Sequence, residues 1–356
     1  MTASPARRRR PTTLLATFTT AAALLTACHE DPKPGVESKP VWSGPLSEKR
    51  WCVQYHAGAL VDSGGGTVQR YDPAIGKIMW SYKAPNQSCP RATEQAVYSA
   101  GDGRINAIDP ATGKPLWTAV TSDPKPAVTD GYEPVATTSH VHTKFDGQLR
   151  AVDLTTHKVT WQRWETDDVG LERLAADGNT LVTVTANGKV RALNGSNGKP
   201  LWTYATPSAG SILAEPVIDG ESVYLGSADR HLYAISLTTG RLQWRTKLQA
   251  PSDWRVALRG DTLFTADTEY LYGLETKTGK IRWETKSDDH QYLGTGPRQL
   301  LYTRPGTKEI RSLDPTTGHT NWTLPIGAKD AQFATSTTHL FIQAGKNISA
   351  YKLTNP

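Results

Sequence analysis

The feature that most narrows what this chain can fold into is a motif that returns seven times. Asp72, Asp109, Asp153, Asn194, Ser236, Glu275 and Asp314 are each followed eight residues later by a tryptophan: Trp80, Trp117, Trp161, Trp202, Trp244, Trp283 and Trp322. The tryptophans recur at intervals of 37 to 44 residues, and a basic residue precedes most of them, as in Gly76-Lys77 and Gly240-Arg241. A repeat of this period is one supersecondary unit that cannot bury its apolar face alone, so neighbouring units must stack.

Each part of the motif has a mechanical reason. The residues before it alternate, as in Leu232, Tyr233, Ala234 and Ile235, which is strand-like. Asp or Asn then opens a turn, because its side chain accepts from backbone amides two residues on. Pro73, Pro110 and Pro315 suit the first turn position, where φ is pre-set. Gly76, Gly113, Gly198, Gly240, Gly279 and Gly318 end the turn, where a positive φ is needed. A further strand carries the tryptophan. Two strands precede each motif, as around Val217 and Tyr224, so the unit is a four-stranded propeller blade with inner, second, third and outer strands. The regular spacing on equivalent strands assigns the tryptophans to packing against the next blade rather than to a sugar-binding strip.

The ends of the chain raise the blade count from seven to eight. The segments around Phe333, His339 to Gln343 and Ile348 to Leu353 read as first, second and third strands without an outer one. The missing piece is at the other end, where Lys39, Pro40, Val41 and Trp42 match Lys114 to Trp117. The expectation is an all-β, eight-bladed propeller over 39–356 whose last blade is closed by the N-terminal strand, leaving fewer open edges. The competing reading is a seven-bladed ring with a loose tail.

The repeat resembles that of pyrroloquinoline-quinone-like propellers, over almost the whole chain from Lys39 onward. That resemblance implies the architecture and leaves function open. One branch of the family holds quinone-dependent dehydrogenases; another holds non-enzymatic, BamB-like propeller lipoproteins. The dehydrogenase branch implies a larger chain, a quinone over adjacent cysteines, and Ca²⁺ held by carboxylate and amide oxygens. No adjacent cysteine pair exists here, and no residue can be matched to the catalytic or calcium positions. The resemblance therefore implies a protein-interaction scaffold with no catalytic residue, no metal and no cofactor. A quinone-dependent oxidoreductase using pyrroloquinoline quinone and calcium is one alternative, and a cell-wall glycan-binding module is another.

Residues 1–28 read as an export signal. Arg7 to Arg10 form a basic cluster, an apolar run follows, and Leu25, Thr26 and Ala27 lead into Cys28. This resembles a lipobox, which makes Cys28 the expected site of lipid attachment, by either export route. Residues 29–38 are polar and proline-rich and read as a flexible tether. Removing the four arginines lowers the formal charge from +6 to +2, which leaves no footprint for nucleic acid. No later segment is apolar and long enough to cross a membrane as a helix. The expected setting is the outer face of the cytoplasmic membrane, with envelope proteins as partners and a monomeric propeller.

Of three cysteines, Cys52 and Cys89 remain after Cys28, and an exported chain favours a disulfide between them. The close Cys-x-x-Cys spacing of a redox pair is absent. His140 and His142 lie on one face of a strand without a third ligand nearby, which favours packing over metal. Ser63 to Gly66 lacks the lysine and helix of a phosphate loop and reads as a hairpin turn. The inter-blade connections carry the candidate binding rim: Trp51, Tyr132, Glu133, Trp164, Glu172, Arg173, Glu215, Trp254 and Arg255. Such loops on a rigid scaffold are where binding residues concentrate.

Overall fold

Eight four-stranded units account for the computed structural model, which describes residues 34–46, 50–85, 88–121, 133–145, 148–164, 171–185, 187–207, 215–251, 256–286, 293–304 and 306–355. No helix occurs among them. Blades 1 to 7 occupy 50–83, 91–120, 135–164, 171–205, 217–247, 257–286 and 293–325, each an antiparallel meander from the inner to the outer strand. Blade 8 takes three strands from the C-terminus, Ala331–Thr335, His339–Ala344 and Asn347–Thr354.

Its outer strand comes from the N-terminus. Trp42–Pro45 pairs antiparallel with Asn347–Thr354, with Trp42 opposite Ala350 and Pro45 opposite Asn347. The ring is therefore eight-bladed and closed by the N-terminal strand Trp42–Pro45. Pairing also starts earlier than expected. Gly35 lies opposite Thr354 and Val36 opposite Leu353, so strand pairing reaches back into the stretch 29–38 read as a tether. Val36 packs against the apolar junction of blades 7 and 8, which gives this short strand its reason to stay down.

The turn chemistry is that of the sequence motif. Asp109 Oδ1 accepts from the amides of Ala111 and Thr112, at 2.9 and 2.7 Å. Asp153 and Asp314 do the same for their own turns. Gly113 closes the turn with φ +70° and donates its amide to the Asp109 carbonyl at 2.9 Å. One feature escapes the motif. In all seven complete blades the register slips by one residue just before the tryptophan; Leu116 and Met79 are such extra residues. A bulge of this kind bends the strand and re-aims the next side chain. Here it turns the tryptophan into the blade junction and pushes its predecessor outward, which is why Met79, Leu116 and Leu201 are exposed.

There is no single central core. The buried apolar residues form eight clusters, one between each pair of neighbouring blades. At six junctions the tryptophan of one blade donates its indole N–H to a backbone carbonyl in the next blade's turn. The pairs are Trp42 to Pro73 (3.0 Å), Trp80 to Pro110 (2.9 Å), Trp161 to Gly195 (2.8 Å), Trp202 to Leu237 (2.7 Å), Trp244 to Thr276 (2.7 Å) and Trp283 to Pro315 (2.9 Å). The glycine ending each receiving turn lies flat on that indole. A Cβ on Gly76, Gly113, Gly198, Gly240, Gly279 or Gly318 would come within 2.3–2.8 Å of the ring. These glycines serve close approach as well as positive φ. Trp322 faces the place where the chain termini split the motif; its indole instead donates to Gln299 Oε1 at 2.8 Å. The tryptophans are thus packing residues, as their spacing implies.

Candidate functional site

The inner strands surround a cavity of about 400 Å³ on the propeller axis, to which blades 2, 4, 5, 6 and 7 contribute. Its lining residues are mostly apolar, such as Ala175, Pro216 and Leu258, with Arg91 and Glu215 as its charged groups. Glu215 is where the sequence places it. Arg91 belongs to the short inner strand Arg91–Ala92 and carries no sequence signal beyond a basic residue after Pro90.

Of the other rim residues, the described ones, Glu133, Trp164 and Arg173, are not in the lining of this cavity. Trp164 ends the outer strand Val159–Trp164 and is 58% exposed, which puts it on the circumference, away from the axis. Strand position within a blade sets radial distance, so an aromatic on an outer strand cannot join a funnel. Arg173 is exposed on the inner strand Leu171–Asp177. Trp51 and Glu172 lie in inner strands, with side chains outside the described set. Tyr132, Trp254 and Arg255 lie outside the described residues, as does Cys28.

Cys52 and Cys89 form a disulfide with Cα atoms 5.5 Å apart. Cys52 is in the inner strand of blade 1, and Cys89 immediately precedes that of blade 2, so the bond ties two neighbouring inner strands together. The half-buried Glu133 brings a carboxylate oxygen within 4.8 Å of both sulfurs. As a disulfide, the sulfurs are not thiolate ligands for a metal.

His140 and His142 are both buried in the second strand of blade 3, with ring centroids 6.1 Å apart. His142 Nε2 shares a hydrogen bond with Thr137 Oγ1 at 3.2 Å, and its ring lies 5.5 Å from that of Trp161. His140 Nδ1 meets Ser139 Oγ at 2.8 Å, and Asp153 lies 3.7 Å from Nε2. Burial, reinforced by His140, pushes His142 down to about 3. Burial also lowers His140, against the pull of Asp153. A base held neutral in the native state but protonated when unfolded makes stability fall as pH drops below its unfolded value near 6.5. His142 should contribute a slope of about 1.4 kcal/mol per pH unit below that point, flattening toward pH 3. Urea midpoints of the parent chain and of His142→Gln, compared at neutral pH and near pH 4.5, measure it. An unchanged slope in the variant would assign the acid sensitivity to other groups.

The family model described as outer membrane protein assembly factor BamB matches three overlapping stretches, residues 37–168, 146–252 and 231–351. The chain belongs to that family. Among solved structures, BamB from Moraxella catarrhalis superposes with a TM-score of 0.68 at 17% identity, covering 88% of this chain and 99% of that one. A computationally designed protein, Ika8, superposes with a TM-score of 0.72 at 14% identity, over 88% and 99% of the two chains. Quinohemoprotein alcohol dehydrogenase ADHIIG from Pseudomonas putida gives 0.66 at 13% identity, over 88% of this chain and 76% of that one. At these identities the likeness is one of fold. A 65-residue stretch is 38% identical to tetrathionate hydrolase of Acidithiobacillus ferrooxidans, and it spans 18% of this chain and 12% of that protein.

Membership of the BamB family raises the question whether the axial cavity suits the quinone of its dehydrogenase-like neighbours. Calcium takes six to eight oxygen ligands, commonly including several carboxylates. Among the described residues lining the cavity, Glu215 is the one carboxylate and Arg91 the one cation. That set does not fit a calcium-bound, multiply anionic quinone.

Proposed function

We propose that this BamB-family chain is an extracytoplasmic, lipid-anchored scaffold that holds protein partners in the cell envelope. The observation that carries the reading is the family match, which runs without a gap from residue 37 to 351 and so takes in every blade. The physics of the ring supports it. Eight junctions, most of them locked by an indole hydrogen bond, make a stiff disc whose turns and connections are presented without large rearrangement. In this reading Cys28 carries the lipid and the residues up to Gly35 hold the disc close to the membrane.

The test is crosslinking in intact cells followed by capture of the tagged chain from the membrane fraction, with Cys28→Ala in parallel. A specific envelope protein should be recovered with the parent chain, and Cys28→Ala should leave the membrane fraction. Recovery of no specific partner would count against the scaffold. The oxidoreductase alternative rests on fold likeness to the quinohemoprotein enzyme. Stoichiometric binding of pyrroloquinoline quinone with Ca²⁺, read by absorbance and accompanied by dye reduction, would put it first.

A further inference from the structure

The junction between blades 2 and 3 departs from the docking rule that six of the eight junctions follow. His157 stands where the receiving turns elsewhere end in glycine, and it keeps the left-handed backbone with φ +57°. Its imidazole lies on the Trp117 indole, with centroids 5.0 Å apart and planes inclined by 16°. A side chain now fills the space that a bare glycine Cα leaves to the indole elsewhere, so the turn cannot close onto Trp117. Among the described residues the Trp117 indole N–H has no acceptor, although the equivalent group of six sister tryptophans has a backbone carbonyl at 2.7–3.0 Å.

A pocket of about 670 Å³ opens at this junction, on the face formed by the turns between first and second strands and between third and outer strands. Tyr98, Leu116, Trp117 and Leu154 supply its apolar walls, and Gln95 and Asp177 lie on its polar side. Its volume falls in the range of ordinary ligand pockets, about 300–1,000 Å³, and an apolar wall with a few polar groups is their usual lining.

We infer that this pocket binds a peptide segment of a partner protein, whose backbone carbonyl accepts the free Trp117 indole N–H. The sister junctions define the chemistry. The same indole edge, in the same frame of turns, is completed each time by a main-chain carbonyl. In three cases that carbonyl belongs to a proline, Pro73, Pro110 or Pro315. A proline supplies a carbonyl beside a compact apolar ring, which matches an acceptor site flanked by Leu116 and Leu154. Asp177 is the one charged side chain of the lining, which favours a neutral or basic segment over an acidic one. A sugar ring is disfavoured, because His157 covers one face of Trp117 and Tyr98 leans against it at 6.0 Å, leaving the edge rather than a stacking face. The site gives the proposed scaffold a place to hold a partner, but it stands on the pocket geometry alone.

The test uses the full chain with ¹⁵N-labelled tryptophan. The Trp117 indole resonance is assigned with Trp117→Phe and followed while a synthetic peptide copying residues 107–114, which includes the Asp109-Pro110 turn, is added. The expected result is a saturable shift of the Trp117 resonance, with the sister indoles unmoved. His157→Gly should let the chain's own turn close on Trp117. It should then protect that N–H from solvent exchange as in the sisters, and weaken the peptide response by about tenfold, the worth of one hydrogen bond with its contacts. The sister resonances report that the variant is folded. A Trp117 resonance that stays still up to the solubility limit of the peptide, or that responds equally in His157→Gly, overturns the inference. Failure of the envelope capture leaves this titration unaffected, and a silent titration leaves the capture unaffected, so the two readings fail separately.

Discussion

A chain beginning at residue 46 should be far less stable than one beginning at residue 34, although they differ by only a dozen residues. The longer chain keeps both halves of blade 8's outer strand, paired with Asn347–Thr354. The shorter one exposes the edge of that strand and removes the indole that locks blade 8 to blade 1 through the Pro73 carbonyl. Trp42 also packs with Phe341, Leu60 and Tyr71 in the apolar cluster of that junction. Trp42→Ala in the intact chain should cost about 3 kcal/mol, the low end of the range for a core tryptophan because the ring is only half-buried. Urea denaturation of the two truncations and the point variant measures this. Equal midpoints for the chains starting at 34 and 46 would mean that blade 8 does not depend on its borrowed strand. The exposed edge carries a second expectation, concentration-dependent association, because an unpaired strand is a template for another chain.

Opening the Cys52–Cys89 bond should cost about as much, for a different reason. The cysteines are separated by 37 positions, and a cross-link closing a loop of that length lowers the entropy of the unfolded chain by about 4 kcal/mol equivalent in the chain-entropy model. The bond joins the inner strands of blades 1 and 2, so its loss should also loosen the ring near the axis. A Cys52→Ser, Cys89→Ser chain should match the parent treated with reductant. A parent chain that keeps its urea midpoint after both thiols become titratable would show that the junction holds without the bond. Reduction and Trp42→Ala act at opposite sides of blade 1, through the unfolded and native states respectively. Their effects should therefore be close to additive.

The fold was legible because its determinants are local. Asp109 caps its turn through amides two and three residues on, Gly113 needs its positive φ within that turn, and both requirements are visible in a short string of residues. Repetition of that string sets the blade count, and its split copy, Lys39 to Trp42 against Ile348 to Leu353, sets the closure. The one-residue bulge was not legible, because a spacing of eight residues from turn to tryptophan does not say which residue is left without a partner. The short strand at Gly35–Val36 was missed because a polar, proline-rich context reads as a tether, and only the free edge of Leu353 and Thr354 gives two residues something to pair with.

The site was much less legible. The sequence by itself determined that the chain makes a ring of eight blades packed through tryptophans, that Cys52 and Cys89 suit a bond, and that Glu215 lies near an inner strand. The tertiary structure alone decided that Arg91 and Glu215 line one axial cavity and that Trp164 sits on the circumference. It also decided that His157, in place of the usual glycine, stacks on Trp117 beside a pocket shared by blades 2, 3 and 4. The physical reason is one of range. Turn and strand preferences act over a few residues and are written in each repeat, whereas a site is made where different blades converge. That convergence depends on the radial position of each strand and on how closely one blade seats against the next.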